Sequence, residues 1–252
     1  MRHFPLWFNV IHIDAYICFE VVFMRKRIIL VGVYITVVSL AFLGIYCYNH
    51  AVTAMAESSE VGYTIVIDPG HGEPDGGAVS CTGIPESRYN LEIALRLKYL
   101  LNLLGHKTIL TRTSTSSVYT KGNTIAEKKI SDLKERVRIV ENIPKALLVS
   151  IHQNQFSEEI YSGAVVLYGK QSNSKRLADS IQTAFVQHLN PGSKRKAKAA
   201  DGVYLMEHIS CPAVLVECGF LSNVQEEAKL RSAEYQKKIC CILASSVSEF
   251  VT

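Results

Sequence analysis

The sequence carries little net charge, no CxxC pair, no internal repeat and no low-complexity tract. The formal net charge is only +4 over 252 residues. It is dispersed, so the composition does not point to nucleic acid as a partner. Two basic runs hold part of it, Arg25-Lys26-Arg27 and Lys194-Arg195-Lys196 with Lys198. Such runs read as solvated faces, and the second also suits an anionic polymer. The seven cysteines, at positions 18, 47, 81, 211, 218, 240 and 241, are odd in number. They sit in a chain too long to resemble a small disulfide scaffold. Cys18 and Cys47 fall in apolar stretches, and Cys240 and Cys241 are neighbours on an expected helix, where they cannot readily bridge. No disulfide framework is expected. With 48% hydrophobic and 20% charged residues, the chain can build one domain with a substantial core plus an appendage.

The amino terminus supplies the appendage. Residues 28–48 (IILVGVYITVVSLAFLGIYCY) hold no charged side chain and follow Arg25-Lys26-Arg27 directly. At ~1.5 Å per helical residue this run reaches the thickness of a bilayer's hydrocarbon core. The basic cluster belongs on the cytoplasmic side, so the rest of the chain is expected outside the membrane. Ala54-Met55-Ala56 has the A-x-A form of a signal-peptidase site, and cleavage after Ala56 would release the domain. The apolar run exceeds an ordinary signal-peptide core, which favours an anchor. Met24 before three basic residues resembles a start, so residues 1–23 read as an upstream extension. The expected organisation is 1–27 cytoplasmic, 28–48 transmembrane anchor or signal sequence, 49–61 linker and 62–252 catalytic domain.

Strand-like and helix-like patterns alternate through the rest. Strands are expected at Tyr63–Asp68, Lys107–Thr111, Ala146–Ile151, Gly163–Tyr168, Val203–Met206 and Ala213–Val216. Helices are expected at Asn90–Leu104, Ser131–Ile143, Ser172–Leu189 and Ala233–Val251, with Gly105 ending the first. Ser114–Lys129 reads as a polar loop and Pro191–Asp201 as a basic one. The pattern predicts an α/β fold: a single three-layer domain with a twisted, mostly parallel sheet covered by helices on both faces, preceded by one transmembrane helix.

Three apolar strands end in residues capable of chemistry. The first leads into Asp68-Pro69-Gly70-His71-Gly72, the third into Ser150-Ile151-His152-Gln153-Asn154, and the last into Glu217. Ligands of open α/β sheets bind beyond the carboxyl ends of strands. If these strands are parallel neighbours, His71, His152 and Glu217 meet in one crevice. Two imidazoles and a carboxylate suit a catalytic zinc, which takes three protein ligands and keeps one position open. Glycines on both sides of His71 let backbone approach a ligand closely. Glu73, Asp75, Glu86 and Glu92 all lie in reach of the first loop and the helix after it. Glu92 reads as a surface residue, and Glu86 stands just ahead of the helix, where a carboxylate suits the dipole. The pattern leaves the third ligand open.

Three blocks in order, TIVIDPGHGEPDGGAVSCTGIPESRYNLEIALRLKYLLNLLGHKTILTR, LKERVRIVENIPKALLVSIHQN and PAVLVECGFLSN, resemble the zinc-dependent N-acetylmuramoyl-L-alanine amidases of the amidase-3 type over about residues 62–250. The resemblance implies that His71, Glu86 and His152 bind one zinc ion and that Glu217 is the catalytic carboxylate, acting on a zinc-bound water. It also implies that Asn154, Arg136, Ser222 and Asn223 support or line the site. Peptidoglycan would be the substrate, the membrane a partner through the amino-terminal helix, and nucleic acid none. Glu73, Ser87 and Gln155 depart from the family pattern and bear on substrate preference. An anchored single domain is similar in layout to the spore-cortex amidases, which help form muramic δ-lactam. An activating protein is not readable from the residues. The ligand set alone also suits a zinc peptidase or other amidohydrolase. A non-catalytic wall-binding module is the remaining alternative, against which intact His71, Glu86, His152 and Glu217 argue; for Glu217 itself the plainer reading is a structural carboxylate paired with Arg136 or Arg112.

Overall fold

The computed structural model describes residues 24–48 and 62–252. The expected upstream extension with Cys18, and the whole expected linker 49–61 with Ala54-Met55-Ala56, lie outside these residues. Met24–Tyr48 form helix α1, 25 residues of mean hydropathy 2.6 with none of its most apolar stretch buried in protein. Arg25, Lys26 and Arg27 continue that helix instead of preceding it. By length and composition α1 can cross a membrane, and a signal sequence near an amino terminus has the same character. α1 and the larger domain are separate units.

The larger domain is built from β1 (Thr64–Pro69), α2 (Glu86–Leu103), β2 (Thr108–Leu110), α3 (Ile125–Glu141), β3 (Ala146–Asn154), β4 (Val165–Tyr168), α4 (Ser174–His188), β5 (Lys198–Ala199), α5 (Tyr204–His208), β6 (Ala213–Phe220), α6 (Val224–Leu230) and α7 (Ala233–Val251). The six strands form one sheet in the order β2-β1-β3-β6-β4-β5. β2, β1, β3 and β6 run parallel, and β4 is antiparallel to β6. The central strands are apolar on both faces because each face is covered. One face carries the larger core, where Ile93, Ala94, Leu97 and Leu101 of α2 and Leu177, Ile181 and Phe185 of α4 pack with Leu243 and Val247 of α7. A smaller core on the other side gathers Val66, Val140, Leu148, Leu205, Met206 and Leu215. The expected three-layer, mostly parallel fold is what forms.

Several boundaries move. α2 begins at Glu86, with Pro85 as N-cap, so Glu86 is the first residue of the helix and not a residue ahead of it. α3 begins at Ile125, inside the expected polar loop, behind a capping box in which Thr124 and Glu127 satisfy each other's backbone N–H groups. Val203–Met206, expected as a strand, lies largely in α5. A short apolar run has no periodicity by which to tell the two apart. β3 and β6 run on past their apolar cores to Asn154 and Phe220.

Candidate metal centre

β1, β3 and β6 are adjacent and parallel, so their carboxyl ends share one edge. Asp68 pairs in register with Ser150, and His152 with Glu217. The chain leaving β1 turns at once: Gly70 N–H donates to the Ile151 carbonyl at 3.0 Å, and His71 takes a left-handed conformation with φ 59°. A Cβ on Gly70 would collide with the imidazole of His152. A Cβ on Gly77 would lie 2.6 Å from Glu86 Oε2 and 2.7 Å from the His71 ring. Only glycine admits both close approaches.

Two buried arginines fix this turn. Arg136 bonds Asp68 and Asp132 and donates to the carbonyls of Pro69 (2.9 Å) and His71 (2.6 Å). Arg112 donates to the carbonyls of Pro69 (2.9 Å), Gly70 (2.9 Å) and Ser87 (2.8 Å). Asp68 also accepts from the hydroxyls of Thr111 and Ser150, at 2.6 and 2.7 Å. Burial alone would raise the Asp68 pKa, but the Arg136 charge and these hydroxyls outweigh it and hold the carboxyl at about 2. Burial and the neighbouring Arg136 charge push the Arg112 pKa down to about 10.

Glu86 stands between the two imidazoles. Its Oε2 lies 3.3 Å from His71 Nε2 and its Oε1 3.0 Å from His152 Nδ1. The same carboxylate accepts from the N–H groups of Ala78 and Gln153 and from the Asn90 side chain, each at 3.1 Å. Burial opposes its ionisation, but the two imidazoles and Asn90 reverse this and hold its pKa at about 2. His152 moves the other way: burial lowers its pKa, and the Glu86 carboxylate outweighs burial and raises it. The two ring centroids are 5.1 Å apart, and one donor atom from each of His71, Glu86 and His152 falls within 4.8 Å of the others. Two nitrogens and one anionic oxygen, converging where two glycines make room, form a donor set that could hold a metal ion.

The four acidic candidates of the first loop separate cleanly. Glu73 is exposed. Glu92 is taken up by Arg88 and Gln236. Asp75 approaches His71 Nδ1, the ring nitrogen remote from Glu86. Glu86 alone joins both histidines.

Glu217 faces the same edge from β6. Its Oε2 is buried and has no hydrogen-bond partner. Burial raises its pKa to about 7, with the His152 charge opposing and the Glu86 charge adding to the rise. Arg136 and Arg112 are committed elsewhere, so the structural pairing with either arginine does not form.

The remaining expected residues fall in two groups. Arg136 grips the His71 turn from below. Asn154 ends β3 half-exposed, its carbonyl accepting from Leu221 N–H at 2.8 Å. Ser222 Oγ accepts from Phe156 N–H at 3.3 Å. Asn223 caps α6 and donates to the Glu159 carbonyl at 2.7 Å. These contacts tie down the segment after β3 and do not touch the two histidines. Sequence reasoning missed Arg112 as a clamp on the turn and Asp75 as a partner of His71. An arginine just past the apolar run of β2 was the available signal for the first, and nothing distinguished the second.

Residues 65–249 match the family model described as N-acetylmuramoyl-L-alanine amidase. A germination-specific N-acetylmuramoyl-L-alanine amidase of Bacillus subtilis is 35% identical over 193 residues, 76% of this chain and 81% of that protein. The amidase LytC of the same organism is 34% identical, over 71% of this chain and 33% of its own length. Among solved structures, the CwlD amidase of Clostridioides difficile, in complex with the GerS lipoprotein, superposes with a TM-score of 0.72 at 35% identity, covering 75% of this chain and 98% of that one.

Proposed function

This chain belongs to the N-acetylmuramoyl-L-alanine amidase family, and on that premise we propose that His71, Glu86 and His152 hold a single zinc ion while Glu217 is the catalytic carboxylate. The enzyme is a peptidoglycan amidase, hydrolysing the amide between N-acetylmuramic acid and L-alanine. The observation that carries the residue assignment is the meeting of two imidazoles and a carboxylate with a second carboxylate, one oxygen of it buried and unpartnered, on the adjoining strand.

When bound, zinc would supply Lewis acidity that polarises the scissile carbonyl and makes water a better nucleophile. Glu86, held in place by three N–H donors, would bring a full negative charge to the ion. Glu217 takes a proton from the attacking water and returns it to the departing amino group of L-alanine. Burial supports that role by bringing its proton affinity near neutral pH. The products are a lactyl carboxylate and a free L-alanine amino terminus. Arg112 and Arg136 keep the turn that presents His71.

Glu217→Gln is expected to keep one zinc per chain and to lose on the order of 10²- to 10⁴-fold in kcat. Full activity at unchanged zinc content would remove Glu217 from this role. Digestion of purified peptidoglycan, with products mapped by mass spectrometry, tests the bond: new lactyl groups and L-alanine amino termini are required. Cleavage of free peptides alone would favour the peptidase alternative.

The germination-specific and CwlD relatives support a spore-cortex role for this chain, in muramic δ-lactam formation. Spores lacking the protein are then expected to lack cortex lactam. The lipoprotein complex of the Clostridioides difficile relative supports a partner protein here too, and activity measured with and without the cognate lipoprotein tests that. α1 supports a domain held at the outer membrane face, residues 62–252 being catalytic and 49–61 the connector. Amino-terminal sequencing of the native protein distinguishes an anchor from cleavage after Ala56.

A further inference from the structure

We infer that Asp75 and Lys129 form an adjustable pair that sets how tightly the His71 site holds its metal: Asp75 strengthens His71 as a ligand, and Lys129 restrains Asp75. The inference rests on the zinc reading of His71, Glu86 and His152 given above.

Asp75 Oδ2 lies 3.3 Å from His71 Nδ1, while the other ring nitrogen, Nε2, lies 3.3 Å from Glu86 Oε2. An Nδ1–H directed at a carboxylate leaves the lone pair on Nε2 and fixes the ring, which makes it a better-placed metal donor. The carboxylate is itself held. Gly77 N–H reaches Asp75 Oδ1 at 3.3 Å, and Gly72 N–H closes the turn onto the Asp75 carbonyl at 2.9 Å. Lys129 enters from a different element, α3, and sets its Nζ 3.1 Å from the same Oδ2 that faces His71. One oxygen thus serves two donors of opposite consequence. Negative charge drawn toward the ammonium is charge withheld from the imidazole. Lys129 is about half exposed and Asp75 much less so, at 50% and 24% of their side-chain surface. Water can therefore support the ammonium whether or not it stays on Asp75, which makes the restraint adjustable and the Asp75–His71 contact the constant part.

The test measures zinc affinity of the metal-stripped full-length protein by chelator competition, with the cobalt(II) absorption spectrum as a second readout of ligand geometry. Asp75→Asn is expected to weaken zinc binding about 10- to 100-fold. Lys129→Met is expected to tighten it by a factor on the order of three, as befits a partly exposed ion pair. In the double variant the Lys129→Met gain should vanish, because the lysine acts through Asp75. A gain that persists in the Asp75→Asn background would show Lys129 acting on the ion through space and overturn the pairing. Unchanged affinity in Asp75→Asn would overturn it as well. Thermal unfolding of the stripped proteins checks that each variant folds. Should Asp75→Asn not fold, Lys129→Met and Asp75→Glu carry the test alone: no gain in the first, or affinity lost in the second as deeply as a His71→Ala variant loses it, sinks the proposal. A wild-type chain that binds no zinc, or a His71→Ala variant that binds it unaltered, would instead defeat the zinc reading itself.

Discussion

At the scale of single residues, the centre combines side chains that charge and hydrogen bonds hold ready with one carboxylate oxygen left without a partner. Three N–H donors and two imidazoles hold Glu86 ionised, whereas Glu217, on β6, keeps one buried oxygen without a hydrogen-bond partner. Two carboxylates pushed apart in this way match the proposed division of labour, one to bind and one to move protons. Arg136 shows the opposite extreme, a cation with nearly every donor placed. Arg136→Ala would strand Asp68 and Asp132 as buried charges and is expected to cost about 3–5 kcal/mol in urea unfolding. Arg136→Lys should recover only part of this, since an ammonium cannot reproduce the fork onto two carbonyls and two carboxylates. The strand-end reading found His71, His152 and Glu217 because apolar strands lead straight into them. It could not choose Glu86, because four acids near one loop look alike until the turn at His71 orients them.

At the scale of elements, the errors of sequence reading share a physical cause. The first six residues of α3 are mostly solvated, so the hydrophobic stripe that marks a helix starts only near Ser131. The capping pair Thr124 and Glu127 was the signal that placed the true start. Thr124→Ala is expected to lower stability by about 1 kcal/mol and Tm by roughly 2–4 °C in a domain of this size, with activity unaffected at 25 °C. Differential scanning calorimetry beside an amidase assay checks both. α6 was overlooked because Asn223 reads equally well as a site residue and as a cap, and it caps. The overlap of Val203–Met206 with α5 is a different failure: four residues are too few to carry a period.

At the scale of the whole molecule, the parallel order β1-β3-β6 is what turns scattered residues into one site, and alternation of strand and helix patterns made that sheet legible beforehand. Strand order was not legible, because register and neighbour choice depend on contacts between distant segments. The anchor at Asp68 links the sheet to pH. Its carboxyl has a folded pKa of about 2 against an ordinary 3.8, so its contribution is fully present above about pH 4 and is lost as pH falls toward 2. That difference is worth roughly 2 kcal/mol. Acid titration followed by circular dichroism should therefore show Asp68→Asn, if it folds, losing less stability between pH 4 and 2 than the wild type does. A groove of about 870 Å³ between α4 and α7 contains none of the residues discussed as ligands or base.

The register of β6 against β3 also dictates an order of events during synthesis. His71, Glu86 and His152 are all present once β3 has been made, yet Glu217 arrives only with β6, after β4, α4, β5 and α5 have formed the excursion between them. A chain emerging amino terminus first thus acquires His71, Glu86 and His152 well before it acquires Glu217, the carboxylate proposed to act beside them. Closing that long loop is slow compared with local helix formation. On the proposed assignment, hydrolysis waits for the last central strand, whatever has been made before it.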